Sequence, residues 1–318
     1  MEREPIARSA GRGQPPRKRT MTLARIRGGA VPYLFLAPGV VLFVWAIVYP
    51  ALRALNMSFF DWKIVAGAIS RFVGLDNYIR AIDDGHFWLS LVNSGVYMLF
   101  TVPPQIVLGL LVAMLLRRKS PSGPLFRVLY YLPVITSWVV ASLLFKYLFA
   151  DQGLINFTLH DFLHLMNSDV SWLSERWTAL IAICALGVWK GVGWSMMIYL
   201  AALQGVPREL EEAALVDGAN RWQRFKAVTI PAISPATVFL VVMLVMGGFN
   251  VFTSVLLITD GGPVGQTDVV LTYMYQQAFT NLDFGYASAM ATILAIIVFV
   301  LSMLQLRLFR GRMGEDLS

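Results

Sequence analysis

Long apolar runs alternate with shorter polar stretches along this chain, and the run lengths set the first expectation. Six runs, at residues 31–52, 92–116, 128–149, 179–203, 236–258 and 287–306, each approach the roughly 20 residues a helix needs to cross a bilayer. Each is predicted to be one continuous transmembrane helix. Pro38, Pro50, Pro103 and Pro104 fall inside runs, which is tolerated where neighbouring helices or water satisfy the freed carbonyls. The polar stretch at residues 203–235 is patterned differently from the rest. Its segment 208–216 predicts a short helix, with Pro207 suited to the first helical position and Glu209, Glu211 and Glu212 placing negative charge near the positive end of the helix dipole. Gly218 follows as the residue that can adopt the left-handed conformation ending a helix. Residues 221–228 resume a helical pattern through Trp222, Phe225 and Val228, and Pro231 and Pro235 close the stretch. A helix–turn–helix is therefore expected between the fourth and fifth spans, with small Ala213 and Ala214 leaving room for another surface.

Composition agrees with a membrane protein. Of 318 residues, 57% are hydrophobic and 14% charged, against about one quarter charged in soluble chains. The net charge of +7 invites a nucleic-acid reading, but the placement of the charge argues against it. Residues 1–30 form a basic tail rich in Gly and Pro, expected to be disordered and cytosolic and to suit contact with anionic membrane lipid. That tail, the loop after the second span, the 203–235 stretch and the C-terminal end hold 19 of the 26 Lys and Arg residues. By the positive-inside rule these segments, and both termini, face the cytoplasm. The run after the tail is too long for a secretory signal, and no convincing cleavage site follows it. The single Cys184 excludes an intrachain disulfide and reads as a small buried hydrophobe.

Glu212-Ala213-Ala214, three residues, Gly218, nine residues, Val228, one residue and Ile230-Pro231 resemble the EAA loop of binding-protein-dependent ABC importer permeases. The departures are Val228 and Ile230, where the family pattern has Ile and Leu. Further landmarks similar to the carbohydrate-uptake type (maltose, glycerol-phosphate and multiple-sugar permeases) are residues 72–78, Arg127 with Leu132-Pro133, Leu148-Phe149 through Gly153 and Asn156, Gly261-Gly262-Pro263, and residues 284–289. The resemblance covers almost everything after residue 30. It is nearest to the larger permease subunit of maltose-type importers, without that subunit's additional N-terminal spans and large extracytoplasmic insertion.

The resemblance implies an all-α integral membrane protein with six transmembrane helices, the type I ABC importer permease fold, spanning residues 31–318 with a cytosolic coupling loop at 204–231. It implies a bacterial or archaeal inner-membrane location. The implied partners are a second permease, two cytosolic ATPase subunits and an extracytoplasmic solute-binding protein. Glu212, Ala213, Ala214 and Gly218 would contact an ATPase, and solute would meet mid-membrane groups of spans four and five: Gly191, Trp194, Phe249, Asn250 and Thr253. Asn250 and Thr253, three apart, are expected to share a helical face; either could bind solute or a neighbouring helix. Trp194 reads equally as a packing aromatic, and Gly187 with Gly191 as a close-packing pair. Lys190, inside a span, could touch substrate, snorkel or meet a carboxylate of the partner permease.

No G-x-x-x-x-G-K-[ST] occurs in the chain, so no cofactor is expected on it; ATP and Mg belong to the ATPase subunits. The expected activity is alternating access by a sugar or polyol permease, not catalysis. A glycerol-phosphate permease and an ion-coupled secondary transporter are the alternatives, although the latter would need no EAA loop and would carry an inverted repeat. A membrane-embedded enzyme would need convergent acids, His or Cys at membrane depth. His160 and His164, four apart, would share one face of a surface helix; no third ligand for a metal accompanies them.

Overall fold

The structure, a computed structural model, describes residues 33, 35–64, 69–117 and 120–314. The basic tail expected at residues 1–30 lies outside them. The chain divides into two compact units, one ending at Arg53 and one running from Ala54 onward. The first membrane-length helix is α1 (Phe35–Met57), ending five residues beyond the predicted run.

The second unit opens with a two-stranded antiparallel hairpin, β1 (Phe60–Asp61) against β2 (Arg71–Phe72), followed by α2 (Asp76–Asp83) and α3 (Gly85–Leu116). The third apolar run forms α4 (Gly123–Ile135) and α5 (Trp138–Leu148). After the polar stretch come α6 (Arg176–Gln204), α7 (Arg208–Val216) and α8 (Arg221–Phe249). The chain closes with α9 (Thr253–Ile258), α10 (Val270–Tyr275) and α11 (Phe284–Gly314). Five of these helices are long and apolar enough to cross a membrane, or six when α4 and α5 count as one bent span.

Two predicted spans are not continuous. Between α4 and α5 the axis turns by 94°, because Thr136 and Ser137 are extended, each at ψ 138. The fifth run stops at Phe249 and resumes as α9 after Asn250, Val251 and Phe252. Consequently Asn250 and Thr253 do not share one helical face. Hydropathy measures side-chain transfer and is blind to such breaks.

Pro231 and Pro235, expected to close the polar stretch, lie inside a helix that continues. Residues 221–228 and the fifth span were expected as separate helices closed by Pro231 and Pro235; they form one helix with a widened turn at Phe225–Thr229. There the N–H of Ile230 reaches back to the Phe225 carbonyl. In α1 the same widening occurs at Val44–Val48, with Tyr49 reaching Val44 just before Pro50. A proline ring clashes with the carbonyl four residues back, and adding one residue to the turn relieves the clash while the helix continues.

Helix packing rests on small residues and polar ties, as expected where lipid removes the hydrophobic drive for helices to associate. Gly109 of α3 lies against Ser195 and Met196 of α6, and Gly187 of α6 lies against Tyr97 and Thr101 of α3. A Cβ at Gly191 would occupy the place of the Gln105 carboxamide. The close-packing reading of Gly187 and Gly191 therefore holds. Three apolar clusters fill the interior: one around Phe87, Phe249, Tyr286 and Met290, one around Phe145, Ile183, Leu186 and Val255, and one around Met196, Tyr199, Leu203 and Leu240.

Two of the family landmarks, Asn77 and Asn156, tie loop segments together, and neighbouring polar residues do the same. Asn77 donates to the carbonyls of Ser58 and Phe60. Asn156 donates to those of Asp151 and Val170 and accepts from the Trp172 indole. Asp84 caps α3 through the N–H groups of His86 and Phe87 and accepts the hydroxyls of Tyr273 (2.6 Å) and Tyr286 (2.5 Å). Desolvation pulls its carboxyl pKa upward, but these four donors outweigh that and hold it below the ordinary value. His160 and His164 do not share a helical face: the helical turn ends at Phe162, and His164 sits beyond it at φ 49. His160 instead meets Asp169 at 2.8 Å.

Candidate functional site

Both helix breaks open onto one cavity of about 450 Å³. Irregular backbone at membrane depth is stable only where it is buried in protein or lines a cavity, so the coincidence is physically required. Tyr97, Thr101 and Gln105 of α3 form one wall. Trp138 starts α5, Gly191 and Trp194 come from α6, and Asn250, Phe252 and Thr253 come from the second break. The lining thus combines four aromatic side chains, Tyr97, Trp138, Trp194 and Phe252, with hydroxyl and amide groups.

The structure brings Gly191, Trp194, Asn250 and Thr253 to this cavity. It does not bring Phe249, which is 5% exposed and packs in the cluster with Phe87 and Tyr286. Phe252, three residues on, lines the cavity instead. A continuous helix would have kept positions 249 and 252 on neighbouring faces; the break at Asn250 turns them apart. Tyr97, Thr101, Gln105 and Trp138 belong to spans two and three, and no local pattern distinguished them from packing residues. The Asn250 amide donates back to the Met246 carbonyl at 2.7 Å, capping the end of its own helix. A larger hollow of about 930 Å³ is lined almost wholly by apolar side chains such as Phe100, Leu129 and Ile181, and offers a polar solute no partner.

Lys190 also borders the cavity, and its role is visible. The residue is 4% exposed. Its ammonium donates to the carbonyls of Pro133 (2.8 Å) and Thr136 (2.5 Å) and lies 4.8 Å from the centroid of the Trp138 ring. The end of a helix leaves carbonyls without intrahelical donors and carries partial negative charge. A cation from α6 therefore caps the 94° corner between α4 and α5. This is a structural use of an intramembrane lysine, made with backbone carbonyls of the same chain.

The helix–turn–helix is present at α7 and the start of α8. Pro207 is the residue before the helix, at ψ 131, one position outside the expected first turn. At the other end, Gly218 adopts φ +77. Its N–H bonds to the Leu215 carbonyl at 3.0 Å, and that of Ala219 bonds to the Ala214 carbonyl at 2.9 Å, the paired pattern of a Schellman turn. Asn220 and Gln223 then form a reciprocal capping box that starts α8. Inside the turn a Cβ on Gly218 would meet nothing within 4 Å, so glycine serves backbone conformation there, not space.

No residue of α7 is buried. Glu212, Ala213 and Gly218 are exposed and Ala214 is half-buried. Val216 is 88% exposed and Trp222 60%, an unusual display for large apolar side chains on a polar connection. The unit is held to the bundle by Arg117, at the end of α3, which pairs with Glu211 at 2.7 Å.

A helical protein with several membrane-length segments, a polar cavity at two broken spans and an exposed short helix between α6 and α8 has the form of a multi-pass membrane protein. The chain belongs to the family of binding-protein-dependent transport system inner membrane components, whose family model matches residues 105–314. It is 33% identical over 284 residues to the lactose transport system permease protein LacF of Rhizobium radiobacter, covering 88% of this chain and 94% of that one. It is likewise 33% identical over 290 residues to the arabinooligosaccharides transport system permease protein AraP of Bacillus subtilis, covering 90% of each. A bacterial ABC transporter involved in alginate import has a chain that superposes with a TM-score of 0.77 at 23% identity, over 91% of this chain and 98% of that one. The fold is that of a type I ABC importer permease. The protein is the membrane component of a transporter and not an enzyme.

Proposed function

We propose that this chain is the permease subunit of an ATP-driven importer that moves a neutral saccharide through the cavity at the two helix breaks. The observation that carries the proposal is the lining of that cavity. Trp138, Trp194 and Phe252 offer flat faces for the apolar sides of sugar rings, and Thr101, Gln105, Asn250 and Thr253 offer hydrogen-bond partners for hydroxyls. The relatives named for lactose and arabinooligosaccharide transport support the same class. Among the described lining residues Lys190 is the one cation, and its ammonium already serves two carbonyls. A phosphate ester would find no free counter-charge there, which favours a neutral sugar over glycerol phosphate.

The partners in this reading are a second permease, two cytosolic ATPase subunits using ATP and Mg, and an extracytoplasmic solute-binding protein. Glu212, Ala213, Ala214 and Gly218 are the ATPase-contacting set, and both termini lie on the cytoplasmic side with α7. Closure of the ATPases draws α7 inward. Because α6 and α8 flank α7 directly, the displacement becomes a tilt of two spans that both line the cavity, and the breaks beside the cavity absorb the bend. The test is uptake of labelled lactose and arabino-oligosaccharides by the complete complex in proteoliposomes loaded with ATP. ATP-dependent accumulation that needs the binding protein is expected. Accumulation driven by an ion gradient without ATPase subunits would overturn the reading.

A further inference from the structure

A second hollow, of about 1020 Å³, lies at the base of the coupling helix. Its walls come from the end of α3, the start of α4, the end of α6, α7 and the start of α8. Successive spans end and begin there, so these helix ends share one side of the bilayer, which in the reading above is the cytoplasmic side. Five guanidinium groups border it, those of Arg117, Arg127, Arg208, Arg221 and Arg224, against the two carboxylates of Glu211 and Glu212. Glu211 is taken by Arg117.

Of the remaining arginines, Arg208 and Arg221 are exposed, whereas Arg127 and Arg224 are half-buried. Arg127 spends one terminal nitrogen on the Leu116 carbonyl at 3.2 Å. The Nε atoms of Arg127 and Arg224 are buried and have no hydrogen-bond partner. Buried charged donors are normally paired, and leaving one unmet is costly. The same hollow has an apolar side, formed by Met114, Leu203, Leu215 and Phe225. Positive charge beside an apolar wall, at the ends of membrane-spanning helices, suits a phosphodiester carried on a lipid. Guanidinium forks pair with phosphate oxygens in a bidentate manner, and inner leaflets supply anionic headgroups.

We propose that this hollow binds the phosphate of an anionic phospholipid headgroup. Lipid bound there lies between α7 and the roots of α6 and α8, and so stiffens the lever. The proposal rests on the cytoplasmic placement of α7 but not on the identity of the sugar.

The experiment uses the complete complex in vesicles of phosphatidylcholine, with or without phosphatidylglycerol, and compares the wild type with Arg127→Gln. Native mass spectrometry reads retained lipid, and ATP-driven uptake reads coupling. Wild type is expected to retain phosphatidylglycerol in preference to phosphatidylcholine and to transport faster with it. In Arg127→Gln the affinity for phosphatidylglycerol is expected to fall about tenfold, the loss of one charged hydrogen-bonding group, with uptake in pure phosphatidylcholine unchanged. Arg127→Lys, which keeps the charge without the fork, is expected to fall between the two and serves if Arg127→Gln does not assemble. Equal defects in both vesicle types would overturn the proposal in favour of an ATPase contact or a packing role. Stimulation of phosphatidylcholine vesicles by inorganic phosphate alone would overturn it in favour of a soluble-anion site. Loss of uptake in every vesicle, wild type included, would count against the importer reading instead.

Discussion

Replacing Lys190 by methionine isolates the clamp on the broken third span. Methionine matches the length of the lysine stem and removes only the ammonium. Two carbonyls, of Pro133 and Thr136, then lose the donor that reaches them across 57 and 54 residues of sequence. A hydrogen bond from a charged donor contributes about 1.5–3 kcal/mol, so the pair is worth about 3–6 kcal/mol. Against that, removing a charge from a span recovers the insertion cost of about 2.5–3.5 kcal/mol. The net expectation is a loss of roughly 0–3 kcal/mol, concentrated at the corner between α4 and α5. Lys190→Glu has no such offset: it keeps a charge and turns it against two carbonyls, and is expected to prevent assembly. The assay is denaturant unfolding of the purified complex together with concentration-dependent uptake. Lys190→Met is expected to lower the midpoint and the maximal uptake rate while leaving the sugar KM within about twofold. An unchanged midpoint with a KM raised tenfold or more would refute the clamp and make Lys190 a substrate ligand.

Three further outcomes follow from the geometry. Gly218→Ala places a Cβ in open space but at φ +77, so only the left-handed backbone cost of about 1–2 kcal/mol applies; the ratio of ATP hydrolysed to sugar moved is expected to rise, with Gly218→Asn, which tolerates that backbone better, falling between. Asp84→Asn weakens the tie among α3, α10 and α11 by about 1–2 kcal/mol at neutral pH, after discounting for partial exposure. Because the folded pKa of Asp84 lies below its unfolded value near 3.8, this stabilisation is full above that pH and is lost as pH falls through the folded value; wild type minus variant stability, measured against pH, should shrink only in that acid range. Phe252→Ala is expected to raise the sugar KM with little change in stability, whereas Phe249→Ala should cost about 3–5 kcal/mol of stability with KM unchanged; the opposite assignment would return Phe249 to the cavity.

Much of this architecture is a consequence of one-dimensional patterning. The hydrophobic length of each run is a transfer property of the side chains alone, so the number of spans could be read directly. The turn at Gly218 was equally legible, because a left-handed residue after a short helix is a local matter and glycine meets it without strain. Pro207, one position from its expected place, marks the usual limit of such readings at helix ends.

What was not legible depends on groups distant in sequence. The corner after Ile135 persists because Lys190, on another helix, supplies donors to carbonyls that would otherwise be orphaned in an apolar medium. The break at Asn250 decides that Phe252 faces the cavity and Phe249 the core, a choice that periodicity would have reversed. Tyr97, Thr101 and Gln105 reach the cavity because Gly187 and Gly191 let α3 approach α6 closely. The arginines around α7 come from the end of α3, from α4, from α7 itself and from the start of α8. Hydropathy and local spacing are sums over neighbours along the chain; cavities, clamps and charge clusters arise from neighbours in space, and here the helix breaks choose those neighbours.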